Sequence, residues 1–453
     1  NDLALLLKTR GELDEAELLY RCALEGNEAK LGAEHAVTLT NASNLAALLC
    51  VQSKFREAGP LYHRVLEARE VKLGAMHMDT LTSVNNLACL LQAQCKFDEA
   101  KALYRRALAG REAMLPLTHP DVLTSVNNLA CVLEVDGDMK EAEALYRRAL
   151  RGFEETLGTQ HPATLTSMHN LAYVLKALGE FPEAEQLYSS TMVGFEHALG
   201  TDHPDTLRTV NNYACLLEAR GKLREAEPFF VLAMQRREEK LGSDHIETLQ
   251  SKCHMVCLLA AQSKLQEAEP LCRSVLQKFS GLLGAQHHST LTVMNNLACL
   301  LEAQGKAGEA EPLYRLCVEG MEAKLGLEHP ETLGSMYHLA VLLEVQEKLD
   351  EAEPFFRQVL QGFESSLGTD HPDTLGSMYN LAMVLRAQGH LEEAEELFRR
   401  EFYASERRNG PAHDDTIGSL CNLMLFLRAS GKEQEADLLA SRCHAELRKP
   451  MTR

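Results

Sequence analysis

A strict period constrains this chain more than any single motif. Stepping by 42 residues from His35 reaches His77, His119, His161, His203, His245, His287, His329, His371 and His413, with no insertion or deletion. The same step from Ala16 reaches Ala58, Ala100, Ala142, Ala184, Ala226, Ala268, Ala310, Ala352, Ala394 and Ala436, each preceded by Glu. Independent domains do not keep such register. The 453 residues therefore read as a stack of one supersecondary unit that cannot bury its apolar face alone.

Residues 119–160 show what the unit is. His119-Pro120-Asp121 opens a helix, since Pro suits the first helical position and an acid suits the positive end of the helix dipole. That helix runs to about Val135 and is broken by Gly137. A second starts near Lys140 and runs to about Leu157. Ala142, Leu145, Tyr146, Ala149 and Leu150 form one apolar face on it. A Gly ends the second helix in most units: Gly32, Gly74, Gly158, Gly200, Gly242, Gly284, Gly326, Gly368 and Gly410, with Pro116 the departure. The reading is all-α, a solenoid of about eleven antiparallel helix pairs forming one domain over 1–453. Residues 1–34 make an incomplete first repeat and 35–453 ten 42-residue repeats. The last is a C-terminal cap, with Ala440 replacing the aromatic and Ser441, Arg442, His444 and Lys449 following.

Asn128-Leu129-Ala130, Leu133, Gly137, Ala142, Tyr146 and Ala149-Leu150 place small and large residues in the order that resembles the tetratricopeptide repeat. The longer unit with its "LG-x-x-HP-x-TL" connection resembles the arrays of kinesin light chains and nephrocystin-type proteins. "HPDTL" at His203 and His371, "NNLACLLEAQGK" from Asn295 and "EAEPLYR" from Glu309 carry that resemblance. It implies a right-handed superhelix and a cytoplasmic, non-enzymatic interaction scaffold beside the cytoskeleton, of the cargo or adaptor kind associated with microtubule motors. Neither a sustained heptad seam nor a phosphate-loop string is present. A kinesin heavy-chain complex would be joined only through sequence upstream of Asn1, which is expected because the chain starts without Met. The alternative is the sensor array of a larger signalling ATPase of the STAND or nephrocystin type, its nucleotide-binding module absent here.

Composition narrows the partner. With 46 Lys and Arg against 65 Asp and Glu, the net charge is −19, which disfavours nucleic acid and anionic membranes. No run of 18 apolar residues exists to span a bilayer. The 13 cysteines, an odd number spread through helical segments, point to a reducing compartment. Protein or peptide partners remain.

On the first helix, Val84, Leu87, Ala88 and Leu91 point one way and Thr82, Asn85, Asn86, Cys89 and Ala93 the other. The second stripe is expected to face the inside of the solenoid. One of its positions reads Asn44, Asn86, Asn128, Asn170, Asn212, His254, Asn296, His338, Asn380 and Asn422. An amide carries two donors and an acceptor, which suits it to a peptide backbone of any sequence. The other reading is that each Asn bonds the neighbouring repeat and sets the superhelical angle; the two roles are compatible. The preceding position includes Asn85, Asn127, Asn211, Asn295, Tyr337 and Tyr379, and its variation either writes selectivity or is surface drift. Glu134, Glu218, Glu302 and Glu344 occupy a late-helix position where Arg386 and Arg428 stand nearer the C-terminus. A neutral or basic segment is expected over most of the array, an acidic one near the two arginines.

Other signals carry less. Each series His lies in a different inter-repeat loop, so an N-cap role is expected rather than a metal site. Cys89, Cys131, Cys215, Cys257 and Cys299 share a column about one helix spacing apart, beyond disulfide reach. Cys253 and Cys257 lie one helical turn apart with His254 and His245 nearby in sequence, but a complete four-ligand metal set is not evident. Glu143, Glu227, Glu311 and Glu353 are expected as solvated surface. No cofactor or nucleophile motif appears, so an enzyme acting through the array is the weakest reading.

Overall fold

The computed structural model describes residues 3, 4, 6, 7, 12–52, 54–94 and 96–447, the side chains of 442–447 excepted. Among the described residues there are 21 helices and no strand. Ten first helices run from Ala36–Val51, Met78–Ala93 and Pro120–Asp136 through to Pro372–Gln388 and Asp414–Ala429. They alternate with second helices such as Phe55–Leu73, Met139–Leu157, Leu349–Leu367 and Leu391–Asn409. By internal packing the chain divides into two compact units, residues 1–236 and 237–453. Within each unit the substantial helix–helix contacts join only successive helices and every second one.

The punctuation works as local chemistry requires. Every series His is an N-cap whose Nδ1 accepts the backbone N–H two residues on, at 3.2 Å from Asp121 and 3.3 Å from Asp373. That acceptor role places the ring proton on Nε2. Gly137 stops its helix in the left-handed region at φ 92°, ψ 0°. The second helices end at Gly with φ near 90° and extended ψ, as at Gly74 (φ 87°, ψ 160°), a region closed to residues with a β-carbon. Where Pro116 stands instead, the preceding Leu115 is ordinary extended backbone at φ −127°, ψ 154°.

The core follows the period. All eleven alanines of the Ala16 series are fully buried, with Tyr104, Tyr146, Tyr188, Phe230, Tyr314, Phe356 and Phe398 packed one turn on. Gly152 lets the two helices of its hairpin close up: a β-carbon there would lie 2.5 and 2.8 Å from the Leu123 methyls. Gly110, Gly194, Gly320 and Gly362 meet Leu81, Leu165, Leu291 and Leu333 in the same way. At the C-terminal end Ala440 is half-buried and Ser441 exposed; the side chains of Arg442 and His444, and Lys449 altogether, lie outside the described residues.

The sequence reading made the acidic second-helix residues solvated surface; Glu143, Glu311 and Glu353 are instead half-buried and ion-paired. Glu143 pairs with Arg147 at 2.7 Å, Glu311 with Arg315 (2.9 Å) and Lys348 (2.7 Å), and Glu353 with Arg357 (2.9 Å). Two offsets recur. An Arg reaches the Glu 36 residues on, as in Arg21–Glu57 (2.5 Å), Arg147–Glu183 (2.6 Å), Arg273–Glu309 (2.8 Å) and Arg315–Glu351 (2.6 Å). A Lys reaches the Glu 37 residues back, as in Lys54–Glu17 (2.6 Å) and Lys306–Glu269 (2.8 Å). Stacking sets one second helix beside the next, so residues nearly one period apart become neighbours.

Candidate functional site

The first helices present the stripe read from sequence. Val84, Leu87, Ala88 and Leu91 are buried, while Thr82, Cys89 and Ala93 are exposed and Asn85 and Asn86 half-buried. Asn44 is exposed; Asn128, Asn170, Asn212, His254, Asn296, His338, Asn380 and Asn422 are half-buried.

Most ladder amides with a bonded partner reach back to the residue 43 before, on the preceding first helix. Asn86 donates to Ser43 Oγ (3.3 Å), Asn128 to Asn85 Oδ1 (2.9 Å) and Asn380 to the Tyr337 hydroxyl (2.8 Å). Asn212 meets His169 Nε2 at 3.1 Å, and Asn296 reaches Cys257 Sγ at 3.8 Å. The two columns thus interlock across repeats, and the neighbour-bonding role of the Asn is realised at these junctions. A bonded amide still holds a second N–H and a carbonyl.

The column before the ladder is half-buried at most positions and partly committed to internal bonds. Asn127 donates to Ser167 Oγ at 2.8 Å, Asn295 to Cys299 Sγ at 3.9 Å, and Asn211 is buried. The carbonyl oxygens of Asn127 and Asn295 are buried without a partner. Tyr337 and Tyr379 set their edges against Phe356 and Phe398, with centroids 6.1 Å apart in each pair. Arg428 pairs with Asp437 at 2.9 Å within the last hairpin. Arg386 is exposed, with no carboxylate in ion-pair range among the described residues. Of the two arginines, only Arg386 keeps its charge available.

His169 is the most constrained member, 3% exposed. An amide N–H can only donate, so Nε2 accepts from Asn212 and the ring proton sits on Nδ1. Nδ1 lies 3.0 Å from Thr209 Oγ1, which donates to the Asp205 carbonyl at 2.9 Å. Donors therefore run in one direction through three side chains. Burial, with the Arg208 charge adding to it, holds the His169 pKa down to about 3.

The late-helix acids are half-buried, and two of them accept a tyrosine hydroxyl. The Tyr146 hydroxyl donates to Glu134 at 2.9 Å and Tyr314 to Glu302 at 2.8 Å. Burial raises the carboxyl pKa of Glu134, Glu218 and Glu344. Lys176 lies 5.2 Å from the Tyr173 ring centroid, a cation–π contact, and Arg208 pairs with Asp205 at 2.9 Å. The column thiols behave as small apolar groups. Tyr104 donates to Cys89 Sγ at 3.0 Å, and burial pushes Cys131 and Cys299 up and Cys253 up to about 12.

Sequence reasoning missed one feature of the stripe. The column Thr40, Thr82, Thr124, Thr166 and Thr292, whose hydroxyls bond the carbonyl one turn back, becomes Gly334, Gly376 and Gly418. Reading that column down the alignment of periods would have shown the change. Over Gly334 and Gly376 lies a cleft of about 650 Å³, also lined by Tyr337, His338, Phe363 and Leu367.

Comparison with known proteins agrees with this architecture. A tetratricopeptide repeat pattern matches residues 37–113, 121–192, 170–239, 247–323 and 331–402, and two further tetratricopeptide patterns match 85–155 and 1–36. No curated protein matches the chain. Among solved structures, a Podosopora anserina chain of nearly identical repeats, named for kinesin light chain, is 26% identical. That match spans 45% of this chain and 96% of the other, with a TM-score of 0.40. The apo quorum sensor NprR of B. thuringiensis is 14% identical over 80% of this chain and 97% of its own, with a TM-score of 0.54. A signal-transduction ATPase of Pyrococcus horikoshii with a tetratricopeptide repeat sensor is 13% identical over 76% of this chain and 52% of its own, with a TM-score of 0.53. The last two likenesses are of fold. With repeat patterns over most of its length and the helical hairpins that they encode, the chain belongs to the tetratricopeptide repeat family.

Proposed function

We propose that this array is a non-catalytic scaffold that takes an extended partner segment along its first-helix stripe, as a cargo or adaptor module does. The observation that carries the reading is the regular stripe itself: accessible amide, hydroxyl and small side chains recur every 42 residues on successive first helices. Extended chain advances about 3.3 Å per residue and packed helices lie about 10 Å apart. One ladder amide therefore meets about every third partner residue. Selectivity falls to the columns that vary, Tyr337, Tyr379 and Arg386 among them.

The ladder Asn residues also hold repeats together, so the test uses the exposed column beside them. Thr124 and Thr166 bond only their own helix backbone, and the same column already carries Arg208. Thr124→Arg with Thr166→Arg should leave helicity and melting unchanged and remove peptides that the native chain binds on an array. An unchanged binding profile would place the interaction elsewhere.

The second reading, a sensor array in a larger signalling ATPase, draws on the fold likeness to the Pyrococcus horikoshii protein. A phosphate loop encoded upstream of residue 1 favours it, and a heptad-patterned segment there favours the adaptor. Among the described residues no helix is long and apolar enough to cross a membrane.

A further inference from the structure

The junction between consecutive first helices is closed to different degrees along the chain. Between Ala36–Val51 and Met78–Ala93 only about 130 Å³ remains, because the Arg69 guanidinium crosses it to Ser83 Oγ (2.8 Å) and the Asp79 carbonyl (3.0 Å). Between Ile246–Ala261 and His288–Ala303, where Phe279 takes the place of Arg69, about 310 Å³ is open. Between Pro330–Val345 and Pro372–Gln388 the space is about 650 Å³, within the range of ligand sites. Phe363 and Leu367 form its bed, Tyr337 and His338 a wall, and Pro330, Pro372, His371 and Asp373 its rim.

The two glycines in this cleft differ in kind from the hairpin glycines. A β-carbon at Gly362 would strike Leu333 at 2.5 Å, whereas one at Gly334 or Gly376 meets nothing within 4 Å. Gly inside a helix costs about 1 kcal/mol against Ala, and here nothing in the chain's own packing requires it. The rim carries a second signal. Asp373 has His371 beside it, at 3.6 Å, and meets no Lys or Arg among the described residues. An apolar, aromatic bed thus lies beside a carboxylate that no permanent cation balances.

We propose that this cleft is a specificity subsite for an extended partner segment. The segment's backbone lies on Gly334 and Gly376, a bulky apolar side chain enters over Phe363 and Tyr337, and a neighbouring Lys or Arg reaches Asp373. The subsite rests on the groove reading above and assigns one junction of it to one ligand chemistry.

The test titrates the full chain with short fluorescein-labelled peptides in a Gly-Ser context, bearing Arg-Phe, Ser-Phe, Arg-Ser or Glu-Phe at the centre. Arg-Phe should bind tightest, with Arg-Ser about tenfold weaker or more, a comparison that needs no variant. Gly334→Thr with Gly376→Thr introduces the residue that five other repeats carry in this column. It should keep the melting point and lower Arg-Phe affinity about tenfold. Asp373→Asn should remove the preference for Arg-Phe over Ser-Phe. Equal binding of Arg-Phe and Arg-Ser, equal binding by the Thr variant, or preference for Glu-Phe overturns the proposal. So does concentration-dependent self-association that the Thr variant abolishes, since the occupant is then a second copy. Should the subsite fail while Thr124→Arg with Thr166→Arg still removes array peptides, the groove reading stands. Should neither pair change binding, both fall.

Discussion

Ser263 and Glu347 sit in the left-handed region, each at φ 61°, where Gly137, Gly179, Gly221, Gly305, Gly389 and Gly431 end the corresponding helices. A β-carbon in that conformation costs about 1 kcal/mol. Ser263→Gly and Glu347→Gly should each stabilise by about that amount, seen as a higher urea midpoint for the 237–453 unit. His169 allows a second prediction at this scale. Unfolded, it takes a proton near pH 6.5; folded, only near 3. Between those values the unfolded chain binds more protons, so stability is intact above about 6.5 and falls as pH drops toward 3. Each pH unit within that window removes about 1.4 kcal/mol. Melting curves of native protein and His169→Asn should converge as the solution is acidified through it; parallel curves would remove His169 from the account. The histidine's column was legible in sequence, but its partner was not. Asn212 meets it because 43 is one period plus one residue, an offset set by the rotation between stacked repeats, which periodicity alone does not contain.

Helix limits were readable because the chain writes them chemically. His-Pro starts and Gly stops, chiefly a matter of the backbone, bring the expected 120–135 and 140–157 helices within a residue of those observed. What a glycine faces inside a helix was not readable, since Gly152 and Gly334 differ only in atoms brought from elsewhere. That contrast is testable. Gly152→Ala forces a methyl against Leu123 and should destabilise by about 1–3 kcal/mol. Gly334→Ala enters open space, and the better helix former should stabilise by up to about 1 kcal/mol. Opposite shifts of the melting temperature check both; shifts of the same sign would contradict the packing described.

At the scale of the whole chain, contacts between neighbours only imply unfolding in stages. The second-helix ion pairs contribute to that cohesion. Single exposed pairs contribute little, but here they recur at successive junctions. Bonds from Lys306 and Arg273 hold the Glu269 carboxyl down to about 2. Its contribution is present above the unfolded value near 4.5 and is lost as pH falls toward 2. Salt near 1 M, where screening acts over about 3 Å, should lower the melting temperature. A Glu269→Gln, Glu311→Gln, Glu395→Gln variant should lose a measurable part of that salt sensitivity. Sequence showed these charges, and their pairing at offsets of 36 and 37 residues emerged only once the helices were stacked.

Fixed offsets between partners have an evolutionary consequence. If residues 120–161 were excised, Asn170 would arrive opposite Asn85, where Asn128 now sits, and Arg105 would face Glu183 in place of Glu141. Amide again meets amide, and cation again meets carboxylate. Such a gene can shorten or lengthen by unequal crossing-over between its own repeats, and each product's new junction brings together residue types that already meet elsewhere in the chain. The reach of the scaffold is thereby open to change by recombination in whole steps, while point mutation is left to tune individual columns.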